Sequence, residues 1–284
     1  MRSVAFIAAI ACGRASALQA RPPGISRFAL IAASAAALQA QPRDCFLLSS
    51  FSDGVLARPE VGALLRDAVQ LKTGSVDARI RLTYVPTAMY ALRRASQRTP
   101  GVQRQRARRD GKQKRDRAVA FFGGPARCDA VTLDLWDASV KHAVGDAVPT
   151  TGADALGAWD PHVVLVDGGN TFWLRRCMED WLDAFRRSSA VYVGVSAGAI
   201  CAGKHVDTAL WKGWDDPSIV EDIDDWGGVL GLDLAGGASV FPHASAEYDG
   251  LVADRTEARH EPLLKLDEGS AYVVGRDGRP GRFV

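Results

Sequence analysis

The stretch AVYVGVSAGA, residues 190–199, decides the fold class, because an apolar strand here leads directly into a turn of small residues. Gly194, Ser196 and Gly198 follow the strand in G-x-S-x-G spacing, and small neighbours are what a serine on a tight, strained strand-to-helix turn requires. Such a turn holds the Ser196 hydroxyl at the amino end of a helix, where the backbone N–H of Ala197 can face a developing oxyanion. Ser196 is therefore a candidate nucleophile, and a chance Gly-Ser-Gly turn is the alternative.

Similar apolar runs recur along the chain. Strands are predicted at residues 45–50, 81–85, 130–135, 162–166 and 190–195, and helical spacing of apolar residues occurs at 61–71 and 172–185. Strands that alternate with helices predict an α/β domain, in which a parallel sheet is covered on both faces and the active site lies at the carboxyl ends of the strands. No apolar run reaches the roughly 18 residues needed to span a bilayer, so a soluble protein is expected.

The formal net charge of +2 conceals two basic segments. Residues 1–43 contain five arginines and no acidic residue, and an apolar stretch is followed there by small residues. This composition is typical of a targeting sequence, so we predict a transit segment for a plastid or mitochondrion, and otherwise a cytoplasmic protein. The catalytic domain is then expected to span residues 44–284.

The second basic segment, residues 93–117, contains eleven Lys/Arg and two Asp. Gly, Gln, Pro and Arg dominate it and no apolar face is visible, which predicts a solvated, flexible insertion. A basic run can also bind nucleic acid or an anionic surface. Because no aromatic residue is interleaved for base stacking, we do not expect nucleic acid to be the partner.

A second glycine-containing turn, DGGNTFWL at residues 167–174, also follows a predicted buried strand. Two glycines allow close approach of the backbone, so Gly169 or Gly168 is a candidate for a second N–H donor to an oxyanion. Asn170 can either contact substrate or simply cap the following helix, and both interpretations stay open. The segment lacks the Gly-Lys-Ser/Thr ending and the G-x-G-x-x-G spacing of phosphate-binding loops.

A serine nucleophile needs a base, and the chain has five histidines. His243 closes the apolar run 238–243, so we expect a strand to deliver it to a carboxyl-end loop, where a base belongs. The other histidines are predicted elsewhere: His142 in a polar helix-like stretch, His162 at the start of a strand, His205 at the far end of the nucleophile helix and His260 on a solvated helix.

The base in turn needs an orienting carboxylate, which holds its tautomer and stabilises the imidazolium. Glu268 follows His243 in the chain and lies between two apolar segments. Its neighbour Asp267 is a rival, and so are Asp215 and Asp216 in the region after the nucleophile helix. Five cysteines show no metal-ligand spacing, so we expect neither a metal nor another cofactor.

Four motifs together resemble the peptidase E (alpha-aspartyl dipeptidase) family, whose broader relatives include cyanophycinase. They are GGNTFWL (168–174), GVSAGA (194–199), PH (242–243) and DEGSAYVV (267–274). The resemblance implies a flavodoxin-like three-layer αβα sandwich with a mostly parallel sheet and a single catalytic domain, related to class I glutamine amidotransferases with Ser in place of Cys. It also implies the catalytic order Ser196, His243, Glu268, with Gly169 and Ala197 as oxyanion donors.

The resemblance further implies a serine-type peptidase that hydrolyses dipeptides with an amino-terminal Asp. An arginine after the catalytic histidine is expected to hold that Asp carboxylate, and Arg255 or Arg259 matches this position. A small peptide is then the partner, without a membrane, and a homodimer is one candidate assembly. Alternatives are another hydrolase on the same triad, such as an esterase or a cyanophycinase-like enzyme, and an inactive homologue that acts as a binding module through residues 93–117. The chain departs from the family in that basic segment and in ending at Val284, where relatives carry further sheet sequence.

Overall fold

A computed structural model describes residues 43–284 except 94–95, 146–147, 221–228, 258 and 277–280. Nearly all of the predicted targeting segment, residues 1–43, therefore lies outside the described residues. Within the described part of the chain, no helix has the length and apolar character needed to cross a membrane.

The strands of the described residues form one large sheet and one small one. In chain order they are β1 (Cys45–Leu48), β2 (Ile80–Val85), β3 (Cys128–Asp134), β4 (Ser139–Val144), β5 (Val163–Val166), β6 (Val191–Val195), β7 (Ser239–Ala244), β8 (Leu263–Asp267), β9 (Ala271–Val274) and β10 (Arg282–Phe283). The large sheet has the order β10-β9-β1-β6-β5-β2-β3-β4. Its five central strands are parallel, whereas β4, β9 and β10 are antiparallel to their neighbours. β7 and β8 pair in parallel as a separate two-stranded sheet.

Alternating side chains of the central strands enter two apolar cores, one on each face of the large sheet. In β5, Val164 and Val166 belong to one core, and Val163 and Leu165 belong to the other. A strand covered on both faces needs a continuous apolar run, which is the pattern that the sequence shows there. The prediction of an α/β domain with a mostly parallel sheet is confirmed.

The helices cover both faces of the large sheet. They are α1 (Asp53–Leu56), α2 (Pro59–Thr73), α3 (Pro100–Phe121), α4 (Gly152–Leu156), α5 (Thr171–Met178), α6 (Leu182–Arg187), α7 (Ala197–Ala202) and α8 (Asp249–Glu257). A 3₁₀ turn at Glu179–Trp181 separates α5 from α6, so the single helix predicted over 172–185 is interrupted. The four cysteines in the described residues are buried and form no disulfide.

The basic segment forms most of α3, so the prediction of a flexible insertion at residues 93–117 is wrong from residue 100 onward. Thr99 caps this helix, because its side chain accepts a hydrogen bond from the backbone N–H of Val102, and Pro100 opens the first turn. The packed face is not visible as an apolar stripe in the sequence, because most of its residues are small or charged. The buried residues of the helix are Ala107, Gly111, Arg115, Ala118 and Val119.

Two of these residues explain how a basic helix packs on the sheet. A Cβ added at Gly111 would lie 3.3 Å from Cβ of Pro86, so the glycine lets the helix approach the end of β2 closely. Arg115 is only 1% exposed, and its guanidinium donates hydrogen bonds to Thr132 Oγ1 and to the Asp116 carboxylate. A buried charge that is paired in this way is tolerated.

Candidate active site

Ser196 occupies a strained turn between β6 and α7. Its backbone has φ 50° and ψ −108°, a conformation rare for any residue other than glycine, and its N–H donates to the Leu48 carbonyl at 2.9 Å. The flanking glycines make room for this turn. A Cβ at Gly194 would lie 2.6 Å from the Gly198 oxygen, and a Cβ at Gly198 would lie 2.1 Å from the Val166 oxygen. Strain of this kind, held by neighbouring backbone, is typical of functional positions.

His243 lies beside Ser196, with 3.0 Å between its Nε2 and Ser196 Oγ. It comes from β7 in the small sheet and not from a loop at the end of the large sheet, so the predicted placement is corrected in this detail. The pairing of β7 with β8 shifts register between Pro242 and Ala244, and His243 takes φ 52° at this irregularity. The bulge turns the imidazole toward the serine.

Glu268 lies in the turn between β8 and β9, and its Oε2 is 2.5 Å from Nδ1 of His243. Partial burial opposes ionisation, but hydrogen bonds from His243 and Ser50 outweigh it and hold the pKa of Glu268 below its usual value. An ionised carboxylate only accepts hydrogen bonds, so Nδ1 must carry the proton. Nε2 is then left as an acceptor for the Ser196 hydroxyl.

The rival carboxylates are engaged elsewhere. Asp215 accepts a hydrogen bond from the Thr171 N–H at 3.0 Å, and burial raises its pKa. Asp216 accepts from the Ser218 N–H at 2.9 Å and so caps a 3₁₀ turn. Asp267 is exposed beside a surface depression that does not include His243. Among the described carboxylates, Glu268 alone contacts the imidazole of His243.

The loop of residues 167–170 brings its glycines close to Ser196. A Cβ at Gly168 would lie 3.0 Å from Cβ of Ser196, but the Gly168 N–H already donates to Oδ1 of Asp167 at 2.6 Å. Gly169 has φ 144°, and its N–H donates no hydrogen bond within the described part of the chain. The N–H of Ala197, in the first turn of α7, has no acceptor inside its helix. Gly169 and Ala197 thus offer two backbone N–H groups that can bind an oxyanion beside Ser196.

The contacts of Asp167 hold this loop in place. It is 2% exposed, accepts a 2.5 Å hydrogen bond from the Tyr84 hydroxyl, and forms an ion pair with Lys114 of α3 at 3.1 Å. The Asp167 N–H donates to the Val85 carbonyl, which joins the loop to the end of β2. The basic helix α3 is therefore connected directly to the loop of residues 167–170 beside Ser196, which we call the glycine loop.

Two residues that the sequence did not indicate hold the backbone of His243. Ser49 Oγ accepts the His243 N–H at 2.9 Å and donates to the Leu266 carbonyl. Lys212 Nζ donates to the carbonyls of Pro242 and His243. Ser49 had one usable signal, because it lies near the carboxyl end of the first predicted strand, residues 45–50.

The Lys212 ammonium also lies over three aromatic rings, 4.4 Å from the centroids of Trp214 and Tyr248 and 4.5 Å from that of Phe241. Burial lowers the pKa of Lys212 to about 8, against the opposing influence of Glu247 and Glu268. Contacts of a cation with ring faces partly offset its lost hydration. No sequence motif predicted this cluster.

The predicted substrate-binding residues have other surroundings. Asn170 caps α5, because its Oδ1 accepts the Trp173 N–H at 2.8 Å, while it still borders the cavity beside Ser196. Arg255 is exposed on α8 and does not line either cavity at Ser196, which argues against its predicted role. Arg259 pairs with Asp207 at 2.7 Å instead.

The remaining histidines lie away from the serine. His142 is in the edge strand β4 and not in a helix, and His205 follows the end of α7 and contacts Glu261 at 2.9 Å. His260 is exposed beyond the end of α8, so its predicted helix placement is also wrong. His162 Nδ1 accepts a backbone N–H, and burial together with Arg81 lowers its pKa to about 4.

Two cavities meet at Ser196 and His243. The first, of about 630 Å³, has apolar walls that include Trp214, Ile219 and Phe241. The second, of about 600 Å³, is bordered by α3 and the glycine loop. Ser196 and His243 line both, so a ligand whose reacting bond lies at the serine has one side in each cavity. Within the described residues, no group of three or more His, Cys, Asp or Glu is placed to hold a metal ion.

Comparison with known proteins finds a family model and similar solved structures. The model of peptidase family S51 matches residues 157–278, which include the three hydrogen-bonded side chains. A putative peptidase E protein from Listeria monocytogenes EGD-e has a similar structure, with a TM-score of 0.50 and 16% identity over 85% of this chain and 98% of its own. A peptidase from an acI-B1 Actinobacterium gives a TM-score of 0.49 and 15% identity over 87% of this chain and 96% of its own. A search of curated sequences finds no match.

The family match defines the class of protein as a serine-type peptidase. Residues 157–278 match peptidase family S51, which agrees with the resemblance to the peptidase E family. The resemblance found in its motifs is thereby confirmed, and the Listeria structure supports the fold.

Proposed function

We propose that this peptidase hydrolyses small peptides, and in particular dipeptides with an amino-terminal Asp, through a triad of Ser196, His243 and Glu268. One observation carries the proposal: two hydrogen bonds join the three side chains in line, at 3.0 Å from serine to histidine and 2.5 Å from histidine to glutamate. The order of these residues along the chain is also the order that the family resemblance implies.

In this mechanism Ser196 Oγ attacks the scissile carbonyl carbon while its proton passes to Nε2 of His243. Glu268 stabilises the imidazolium that forms. The backbone N–H groups of Gly169 and Ala197 bind the oxyanion, and one such donor contributes about 2.7–4 kcal/mol in a well-studied serine protease. The imidazolium then protonates the leaving amine. Water, deprotonated by the same histidine, releases the acyl group and restores the serine.

The preference for an acidic residue is supported by the charges around the serine. Arg93 lines both cavities and Lys212 lines the first. A substrate carboxylate is attracted to such cations, most strongly where the site excludes water. Arg255, the residue first expected for this task, does not line either cavity, so the proposal assigns substrate recognition to Arg93 and Lys212 instead.

A substrate panel tests the proposal. Hydrolysis of Asp-Leu, Asn-Leu, Glu-Leu and Ala-Leu is followed by amine release, beside a simple aryl ester and a β-aspartyl-arginine dipeptide. We expect Asp-Leu to have the highest kcat/KM, by about tenfold over Asn-Leu, which differs from it by one charge. Preference for the ester or for the β-linked dipeptide would favour the other hydrolases. A binding module without catalysis would hydrolyse none of them and leave Ser196 unlabelled by a fluorophosphonate.

A further inference from the structure

The second cavity at the active site is strongly basic. Its wall includes the reacting groups Ser196 and His243, and it also contains five cationic side chains and two carboxylates. The cations are Arg93, Arg98, Arg106, Lys114 and Arg117. Since the first cavity has mainly apolar walls, the two sides of the cleft differ sharply in charge.

One face of α3 supplies most of this basic wall. Gln103, Arg106, Asp110, Lys114 and Arg117 line the cavity and recur at intervals of three or four residues, which is the spacing of a single helix face. A different face, with Gly111 and Arg115, is buried against the sheet. The helix is therefore held in one rotational setting, with the same cations always directed toward the cleft.

Some of these cations have no charge partner within the protein. Lys114 is paired with Asp167, but the side chains of Arg98 and Arg106 form no ion pair or hydrogen bond in the described part of the chain. Both arginines belong to exposed positions. Unpaired cations on the rim of a catalytic cleft attract anionic ligands and raise their local concentration.

We infer that this basic cavity is a subsite for acidic residues of a peptide longer than a dipeptide, whose scissile bond lies at Ser196. The inference rests on the proposed function for the position of that bond. A cavity of about 600 Å³ is large enough for a ligand of more than one residue. The substrate class is then an acidic oligopeptide, with its carboxylates along Arg98 and Arg106 and its opposite end in the apolar cavity.

Nucleic acid fits this cavity less well than an acidic peptide. Proteins that bind single strands combine a basic groove with aromatic rings on which successive bases stack. Among the residues that line this cavity, only Phe51 is an aromatic residue suited to stacking. The cations moreover line the same cavity as Ser196 and His243, where an amide bond can react.

Binding to the full-length Ser196→Ala protein tests the inference without turnover. Two peptide pairs are compared by calorimetry: Asp-Glu-Glu-Glu with Asp-Gln-Gln-Gln, and Glu-Glu-Glu-Leu with Gln-Gln-Gln-Leu. The pairs place the acidic residues on opposite sides of the expected bond. In at least one pair we expect the acidic peptide to bind about tenfold more tightly, and this advantage to shrink as salt is raised because exposed charges are screened.

The matched variants are Arg106→Glu and Arg104→Glu, both made in the Ser196→Ala background. Both arginines are exposed residues of α3 and the charge change is the same, but only Arg106 lines the cavity. Arg106→Glu is expected to remove the acidic advantage, a loss of about five- to twentyfold for reversing one exposed charge. Arg104→Glu should retain it within about twofold.

Three results would overturn the inference: equal binding within both pairs, an equal loss in the two variants, or displacement of the acidic peptide by a short single-stranded RNA at the same concentration. Hydrolysis by the wild type separates this inference from the proposed function. If the wild type cleaves none of the dipeptides while the acidic advantage and its dependence on Arg106 persist, the proposed function fails and the acidic subsite stands.

Discussion

Ser196 and His243 share an unusual backbone, with φ of 50° and 52°. Each such residue costs on the order of 1–3 kcal/mol and persists only where its surroundings hold it. The Leu48 carbonyl binds the N–H of Ser196, while Ser49 and Lys212 bind the two sides of the His243 peptide backbone. The carboxyl end of β1 thus holds both strained residues, and this places their side chains within hydrogen-bond distance.

Glu268→Gln removes the charge that stabilises the imidazolium while it keeps the size of the side chain. We expect kcat for Asp-Leu to fall by about a hundredfold, less than for a fully buried triad acid, because solvent screens this carboxylate, which is 63% exposed. The far-ultraviolet circular dichroism should stay unchanged. A kcat within threefold of the wild type would exclude Glu268 as the third member of the triad.

Lys212→Met keeps an unbranched chain among the three rings but removes the donor to the carbonyls of Pro242 and His243. The backbone of His243 then loses one of the two side chains that hold it, so its imidazole is positioned less well. We expect kcat to fall by about tenfold, which corresponds to a rise in the activation free energy on the order of 1.4 kcal/mol. Steady-state kinetics with a neutral dipeptide measure this. A rise in KM with unchanged kcat would show that Lys212 acts in substrate binding alone and does not position His243.

The side chains that carry the proposed chemistry were predictable from the sequence, because each occurs in a short motif with a mechanical reason: a turn of small residues, or the end of an apolar run. Ser49 and Lys212 were harder to find. They act on the backbone of His243 through contacts between residues 31 and 194 positions apart, and no local pattern records such distances.

At the scale of elements, α3 shows why a polar sequence can still form packed structure. Its buried face consists of small residues and one paired arginine, so hydropathy gives no apolar stripe. This face packs because the helix backbone comes close to the sheet and not because large apolar side chains cover it, as the contact between Gly111 and Pro86 shows. A prediction based on hydropathy alone therefore took a docked helix for a flexible segment.

Gly111→Leu tests this docking. The larger side chain would press against Pro86 and Tyr84, and we expect the free energy of unfolding to fall by about 1–3 kcal/mol. Gly101→Leu is the matched control, since it lies in the same helix with nothing within 4 Å of its Cβ position, and it should be neutral or slightly stabilising. Equal urea midpoints for the two variants would mean that α3 is not packed.

A charged cluster connects the segment before β8 to the region after α7. Glu261 contacts His205 at 2.9 Å and pairs with Arg259, which also binds Asp207. Partial burial opposes ionisation of Glu261, but hydrogen bonds from Arg259 and His205 outweigh it and lower its pKa to about 2. Because this pKa lies below the unfolded value of 4.5, the carboxylate stabilises the fold above about pH 4.5 and loses this effect as the pH falls toward 2.

Glu261→Gln should therefore be less stable than the wild type near pH 6, by up to about 3 kcal/mol. The difference in unfolding free energy should shrink as the pH is lowered from 4.5 to 2.5. Denaturant unfolding at several pH values measures it. A difference that stays constant with pH would show that the ionised form of Glu261 contributes nothing special to stability.

For the whole molecule, the alternation of strands and helices predicted the parallel centre of the sheet but not its edges. The directions of the antiparallel strands depend on which segments meet in three dimensions, and so does the separation of the small sheet. The antiparallel strands are β4, β9 and β10, and the small sheet consists of β7 and β8. This mattered for the site, since His243 and Glu268 come from the small sheet and the turn after it. Bringing that unit against the carboxyl ends of β1 and β6 completes the line from Ser196 to Glu268.

Hydrolysis of Asp-Leu by the wild type and by Ser196→Ala tests this account most directly. The variant removes one oxygen atom from a turn whose strained backbone is held by neighbouring groups. We expect kcat/KM to fall by at least about a thousandfold while the thermal unfolding midpoint changes little, because the nucleophile is lost and the fold is kept. Peptide hydrolysis that survives in Ser196→Ala at more than a tenth of the wild-type rate would contradict the assignment of Ser196 as the nucleophile.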